Sequence, residues 1–396
     1  MGYNLIKISE QFGYKEPRCL EPEISNYTAV LKKQHYIKEF TQKWNTKTHC
    51  YQIHYDEQLE KYKFEASYFV GVDWIVENEL PIYIQPKLND EKSEVNFVKM
   101  LFEALQEPEN FNHLDHLCEI NFEKPTIKIK QTQDLLSPFL VVQYLQLLRR
   151  IVQKGLKKSY YPVVENFNSR VKGKILVNAT IKQNHAKNKM LYSYCRYDEF
   201  GINTIENKVL KKALLFSQKA IQNIKGVNPE QLQGLYNYIQ PAFQQVDNEI
   251  EIEELKSIKP NPLFKEYEQA LKLAKFILKR YGYTIATINP EEIETPPFWI
   301  DMSKLFELYV FSKLKQRFPN KGDVTYHKTF NRLEPDFILN TSDYKMVVDA
   351  KYKPQYENNS INKEDIRQVS GYARLKSVYN FLGLKDNYNE VIDCLV

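Results

Sequence analysis

The sequence predicts a mixed α/β protein of the α+β kind, with a β-rich N-terminal region, a largely helical middle region and a C-terminal α/β domain. Three observations carry that reading. Up to about Leu88, aromatic and β-branched residues alternate in strand-length runs. In the middle of the chain, apolar residues recur at helical spacing in three long stretches. Beyond Pro297 the order becomes helix, three strands, helix, strand, the pattern of a small mixed sheet flanked by helices. The corresponding division is 1–110, 111–290 and 291–396, and 396 residues suffice for two or three domains that each bury a core.

Taken in order, "CYQIHYD" and "KYKFEASYFVGVDWIVENELPIYIQPKL" read as strands, with a turn near Glu77–Leu80. "NFVKMLFEAL" is a short helix. "SPFLVVQYLQLLRRIVQKG" is a longer one, with Ser137 as cap, Pro138 in its first position and Gly155 as its stop. The basic "LKKSYYPVVENFNSRVKGKILV" reads as irregular. Helices follow from Glu206 to about Ile224, entered through Asn203 or Thr204, and from Pro262 to Tyr281. "NPEEIETPPFWID", with adjacent Pro296 and Pro297, reads as a linker. "MSKLFELYVFSKLKQRF" then presents an apolar face through Leu305, Leu308, Tyr309, Phe311 and Leu314. Strands "DVTYHKT", "PDFIL" and "KMVVDAKYK", helix "EDIRQVSGYARLKSVY" and strand "EVIDCLV" complete the chain.

Hydrophobic residues make up 43% and charged residues 27%, which excludes a disordered chain. No apolar run approaches the roughly 18–20 residues that cross a bilayer, so no membrane role is expected. Five scattered cysteines without zinc-ribbon spacing point to a reducing cytoplasm. The net charge of +5 is compatible with nucleic-acid contact. The lysine-rich "KGLKKSYYP" and "SRVKGKI", with Tyr160 and Tyr161, offer phosphate contacts, and a solvated basic face is the alternative.

The chemistry concentrates in "EPDFILNTSDYKMVVDAKYKP". Alternation along a strand would place Asp349 and Lys351 on one face, roughly 6.6–7 Å apart. Asp336 lies one hairpin upstream, so neighbouring strands would bring both carboxylates to one site. Two carboxylates with water and a phosphate oxygen form the hard oxygen set that magnesium prefers. Lys351 would orient or help deprotonate the attacking water and stabilise phosphate charge. Glu307 on the preceding helix would join as an outer metal ligand. Gln368 and Tyr372, at i and i+4, would position the water or the lysine. A solvated Asp-x-Lys pair is the plainer reading, but Val347, Val348 and Ala350 mark a buried strand, where unpaired charge is expensive.

With Asp336, Asp349, Lys351 and the Gln-x-x-x-Tyr of "QVSGY", the region resembles the PD-(D/E)xK nuclease superfamily, in a RecB-like variant. Farther upstream, "IYIQPKL", "NFVKMLFEAL", "LLRRIVQKGLKKSYYPVVENFNSRVKGKI", "YCRYDEFGINTIENKVLKKAL" and "PPFWIDMSKLFELYV" resemble the McrC family. Its members are nuclease subunits of McrBC-type modification-dependent restriction systems, and the likeness runs from about Gly71 onward. The resemblance implies a metal-dependent DNA endonuclease with catalytic Asp336, Asp349 and Lys351, using Mg2+, for which Mn2+ substitutes. It implies an McrB-like hexameric AAA+ GTPase partner that recognises modified double-stranded DNA, with residues 1–110 as the motor-binding part. Members of the family usually continue beyond the position of Val396. The alternatives are an adaptor with a silent nuclease fold and a stand-alone RecB-like nuclease.

Two further signals bear on this. "HLDHLC" gathers His113, His116 and Cys118, but no second ligand pair follows at zinc spacing, so it reads as structure. No Gly-x-x-x-x-Gly-Lys-Ser/Thr loop exists in the chain, so GTP would act only through the partner.

Overall fold

The computed structural model describes residues 5–14, 16–20, 28–42, 46–86, 97–130, 136–222, 229–250, 265–286, 292–352, 363–384 and 388–396. The chain is mixed α and β with several small sheets, and it divides into two compact units. One comprises 1–139, 226–231 and 290–396, the other 140–225 and 232–289.

The first unit is woven from distant segments. Phe69–Val76 is buried along nearly its whole length, as expected of a strand covered on both faces. A turn containing Asn78, in left-handed conformation, returns it to Leu80–Gln85. Ile6–Ser9 pairs parallel with the outer side of Leu80–Gln85. Phe298–Asp301 pairs antiparallel with Phe69–Val76 on one side and with Cys118–Ile120 on the other, completing a five-stranded sheet. A second sheet orders Arg18–Cys19, Lys61–Ala66, Lys47–Asp56 and Tyr36–Thr41.

The expected linker over Glu291–Pro297 is therefore corrected; the chain passes between the two units at 289/290, but residues 290–396 belong with 1–139 in one unit. Where described, the segment is strand: Glu292–Thr295 pairs with Ile127–Lys130, and Phe298–Asp301 lies inside the N-terminal sheet. Pro296 and Pro297 occupy the step between the two strands, where no ladder N–H is needed. Trp299 is 1% exposed and donates its indole N–H to Asp73 at 3.2 Å. Gly71 permits this pairing, because a β-carbon there would fall 2.0 Å from the Phe298 carbonyl oxygen.

Asp301 ends that strand and caps the next helix, accepting the Lys304 N–H at 3.0 Å. The helix, Met302–Arg317, buries Leu305, Leu308 and Phe311. A four-stranded sheet follows in the order Val324–Tyr326, Phe337–Asn340, Lys345–Val348, Asp393–Leu395, with the last pairing parallel. Strand alternation splits its core. Phe337, Leu339 and Val348 pack with Phe311 on one face, while Ile338 and Val347 pack with Val369, Val378 and Tyr379 on the other. The predicted helix over 364–379 is two helices, Lys363–Ala373 and Lys376–Phe381.

In the second unit, the helices Ile205–Gln222 and Lys265–Ala286 pack together, with the Tyr267 hydroxyl donating to Asn207 at 2.9 Å. Thr204 receives the Asn207 N–H at 3.4 Å, the expected helix start. The basic segment read as irregular is instead a long strand. Ser159–Asn168 pairs residue for residue with Tyr192–Gly201, and Lys174–Ile175 joins as a short third strand. The middle region thus carries an extended β arm beside its helices. The physical reason for the misreading is exposure: this strand alternates between half-buried and exposed positions, so it lacks the apolar alternation that marks a strand in sequence.

Candidate active site

Strand Lys345–Val348 ends one residue before the Asp-Ala-Lys motif, so Asp349 and Lys351 lie beyond the strand rather than within it. Parallel pairing nevertheless holds the first of them, since the Asp349 N–H donates to the Leu395 carbonyl at 2.9 Å. The Asp349 side chain is 1% exposed, and its Oδ2 lies 2.7 Å from Lys351 Nζ. Asp336 immediately precedes the neighbouring strand, and its Oδ2 accepts the Ala350 N–H at 2.8 Å. That bond ties the two halves of the motif across the hairpin. Lys351 Nζ also donates to Gln368 Oε1 at 3.1 Å, and Gln368 donates to the Tyr372 hydroxyl at 3.0 Å. The helix Lys363–Ala373 thus braces the lysine through the i, i+4 pair.

Glu307, on the helix Met302–Arg317, approaches from the other side. Its Oε2 lies 3.0 Å from His327 Nε2 and accepts from the Tyr326 hydroxyl at 3.3 Å. His327 Nε2 is 3.9 Å from Asp336 Oδ1, and His327 Nδ1 is 3.2 Å from Glu334 Oε1. Among the described residues, Glu307, His327 and Asp336 form a group whose ligand atoms all lie within 4.8 Å of one another. The structure brings together all six sequence-predicted residues in two linked clusters. Glu307 and Asp336 share one with His327, and Asp349, Lys351, Gln368 and Tyr372 share the other. His327 and Glu334 were missed, because a histidine after a short strand has no spacing signal of its own.

The electrostatics follow from burial. Desolvation, then the charges of Glu307 and Asp349, pushes the Asp336 carboxyl up to about 7, against the Ala350 N–H and His327. Burial pulls the Lys351 amine down, but the Asp349 hydrogen bond and the charges of Asp349, Asp336 and Asp365 outweigh it, and its pKa is raised. Lys351 is thus an ammonium, suited to hold a water or neutralise phosphate charge rather than to accept a proton. Carboxyl groups that favour protonation when crowded without a cation are the setting into which a divalent ion fits.

A cleft of about 570 Å³ opens beside this cluster, lined by Gln42, Tyr68, His113, Asp301, Lys304, Glu307, His327 and Glu334 among others. The Asp301 carboxyl in it is pushed up to about 6, chiefly by burial. In "HLDHLC", His113 and His116 line this cleft. His113 sets its ring edge-on to Tyr326 at 4.9 Å, and the Cys118 backbone pairs in the five-stranded sheet.

The family model of the McrBC 5-methylcytosine restriction system component matches residues 65–381. The chain belongs to the McrBC family. The McrBC match spans all six predicted site residues and the second unit, and it makes the chain a restriction-system component. Among solved structures, the chain is similar to one in the cryo-EM structure of the Thermococcus gammatolerans McrBC complex. Identity is 14%, with 81% of this chain and 90% of that chain covered and a TM-score of 0.30. No curated protein matches the sequence. Among the described residues, no helix is long and apolar enough to cross a membrane.

Proposed function

We propose that this chain is the DNA-cutting subunit of an McrBC-type system, hydrolysing phosphodiester bonds in modified double-stranded DNA and stimulating an McrB-like AAA+ GTPase. The observation that carries the reading is the Asp349–Lys351 pair at 2.7 Å, tied to Asp336 across the hairpin and braced by Gln368. Glu307, Asp336 and Asp349 supply the oxygen donors that would hold a divalent ion, Mg2+ or Mn2+. When bound, the ion polarises the scissile phosphate and acidifies a water. Asp349 holds the Lys351 ammonium at the end of the sheet, where it orients the attacking water and neutralises charge developing on the phosphate. Gln368, itself held by Tyr372, fixes the direction of the lysine, which limits the geometries the water can take.

We place the partner contact on the β arm of the second unit rather than on residues 1–110. Tyr160, Val164, Val177, Met190, Leu191 and Phe200 are each more than half exposed, with Tyr160 and Phe200 paired across the hairpin, and uncovered apolar side chains suit an interaction surface. The arm also carries seven lysines and arginines against three acidic residues. With no phosphate-binding loop in the chain, GTP hydrolysis falls to the partner. A silent-nuclease adaptor is disfavoured by the complete acid–lysine set, and a stand-alone nuclease by the arm.

The test is the chain combined with an McrB-like AAA+ GTPase, assayed on methylated plasmid with GTP and Mg2+. Lys351→Ala is expected to lower cleavage by about 10²–10³-fold or more, the scale of losing one preorganised charge donor. GTP turnover should stay at the wild-type stimulated rate. Wild-type cutting by the variant would end the nuclease assignment. No cutting by the wild-type complex in any divalent ion would leave the adaptor reading.

A further inference from the structure

We propose that His327 is a direct metal ligand, oriented by Glu334, and that it makes the site selective for Mn2+ over Mg2+. The inference rests on the nuclease reading for its purpose, but its geometry stands apart from the Asp349–Lys351 pair. His327 follows the strand Val324–Tyr326 with φ +49°, a left-handed conformation uncommon for a residue with a side chain. Its backbone N–H donates to the Asp336 carbonyl at 3.0 Å, which fixes where the ring starts. From there the imidazole reaches three carboxylates: Glu334 at Nδ1, Glu307 and Asp336 at Nε2.

The two nitrogens are not equivalent. Carboxylates face both nitrogens, Glu334 at 3.2 Å from Nδ1 and Glu307 at 3.0 Å from Nε2; a metal ion on Nε2 leaves the proton on Nδ1, where Glu334 accepts it. With a cation bound, Nε2 would offer its lone pair to it alongside oxygens of Glu307 and Asp336. Carboxylate–histidine–metal relays have this form, with the outer carboxylate fixing the tautomer and raising ligand basicity. Glu307 Oε2 and Asp336 Oδ1 lie 3.0 and 3.9 Å from Nε2, separations that ligands of one ion take. Ligands about 2.0–2.2 Å from a metal lie roughly 3 Å apart when adjacent and just over 4 Å when opposite.

Donor chemistry then chooses the ion. Magnesium takes hard oxygen ligands and keeps most of its water, whereas imidazole suits first-row transition ions. A site offering one imidazole nitrogen and two carboxylates therefore prefers Mn2+ to Mg2+. The carboxylates of Glu307, Asp336 and Asp349 suit both ions, so the imidazole is what widens the preference.

The experiment measures metal binding to the full-length protein without DNA, by Mn2+ electron paramagnetic resonance with Mg2+ competition. Pulsed measurements of nitrogen hyperfine coupling report a directly bound imidazole. The wild type should bind Mn2+ at least about tenfold tighter than Mg2+ and show that coupling. His327→Ala should lose the coupling and about tenfold or more in Mn2+ affinity, with Mg2+ affinity nearly unchanged. Glu334→Gln should keep the coupling and lose about tenfold in affinity, the usual scale for an orienting partner. Bound Mn2+ without nitrogen coupling in the wild type overturns the proposal, as does unchanged Mn2+ binding in His327→Ala. If His327→Ala fails to fold by circular dichroism, the wild-type coupling together with His327→Gln decides. Plasmid cleavage separates this idea from the nuclease reading. Nitrogen-coupled Mn2+ without cleavage by the wild-type complex sinks the nuclease and keeps the site. Cleavage with no nitrogen coupling does the reverse.

Discussion

The C-terminal sheet with its acidic cluster and the β arm of the second unit are built on opposite plans. The sheet site is assembled from segments far apart in sequence, buried and crowded with charge. Even the residue after Lys351 is held this way, since the buried Tyr352 hydroxyl donates to Glu10 at 2.8 Å. The arm is one continuous stretch, residues 159–201, and although Phe167 and Cys195 are buried, Tyr160, Val164, Val177, Met190, Leu191 and Phe200 are exposed. Inside the arm, Asn166 and Asn184 exchange amide hydrogen bonds at 3.1 and 2.8 Å, and Tyr194 N–H donates to Thr180 at 3.0 Å. Local bonds of this sort hold a shape without a large core. The contrast shows where each kind of work belongs: chemistry needs groups desolvated and fixed by many segments, while docking needs apolar surface left uncovered.

The strongest way to break the comparison is to cut where the sequence suggests a linker. A chain ending at Thr295 loses Phe298–Asp301 from within the five-stranded sheet, leaving Phe69–Val76 and Cys118–Ile120 unpaired on those sides. We expect loss of the cooperative thermal transition of the first unit, measured by calorimetry. A soluble, cooperatively melting product would show that the N-terminal sheet does not depend on the later strand.

Next in size is the arm. Tyr160→Ala with Phe200→Ala removes two exposed rings that meet at a tilt, their centroids 5.2 Å apart. The fold should be unaffected, whereas partner affinity measured by surface plasmon resonance should fall about 10–100-fold, as for interface aromatics. Wild-type affinity would return the motor contact to residues 1–110.

The smallest expected effect is a pH dependence confined to the sheet site. The folded-state pKa values of Asp336 and Asp301 are raised, to about 7 and about 6. Their contribution to stability is thus fully present below about pH 4, the unfolded value, and is lost as pH rises through 6 and 7. Asp336→Asn removes the charge, so without added metal the variant should gain on the wild type across that window, by roughly 1–3 kcal/mol at pH 8. Denaturant melts at pH 4.5, 6 and 8 would measure it, and a constant difference would mean that Asp336 is not crowded in the metal-free protein. In the arm, Asp198 and Glu199 are exposed, and their amide substitutions should change stability by less than about 0.5 kcal/mol.

By itself the sequence determined the candidate site residues and the apolar periodicity that sets most elements. Asp336, Asp349, Lys351, Gln368 and Tyr372 were legible because their spacing matches neighbouring strand ends and one helical turn. The helix Met302–Arg317 and the sheet after it were legible because burial writes period into a sequence. The exposed strands of the arm write no such period, and Ser159–Asn168 was therefore misread. Tertiary structure alone decided that Phe298–Asp301 belongs to the N-terminal sheet, since its pairing depends on edges formed by Phe69–Val76 and Cys118–Ile120, far away in the sequence. It alone placed His327 among Glu307, Asp336 and Glu334, because a side chain's neighbours across a fold depend on the path of the backbone, and spacing along the chain does not record that path.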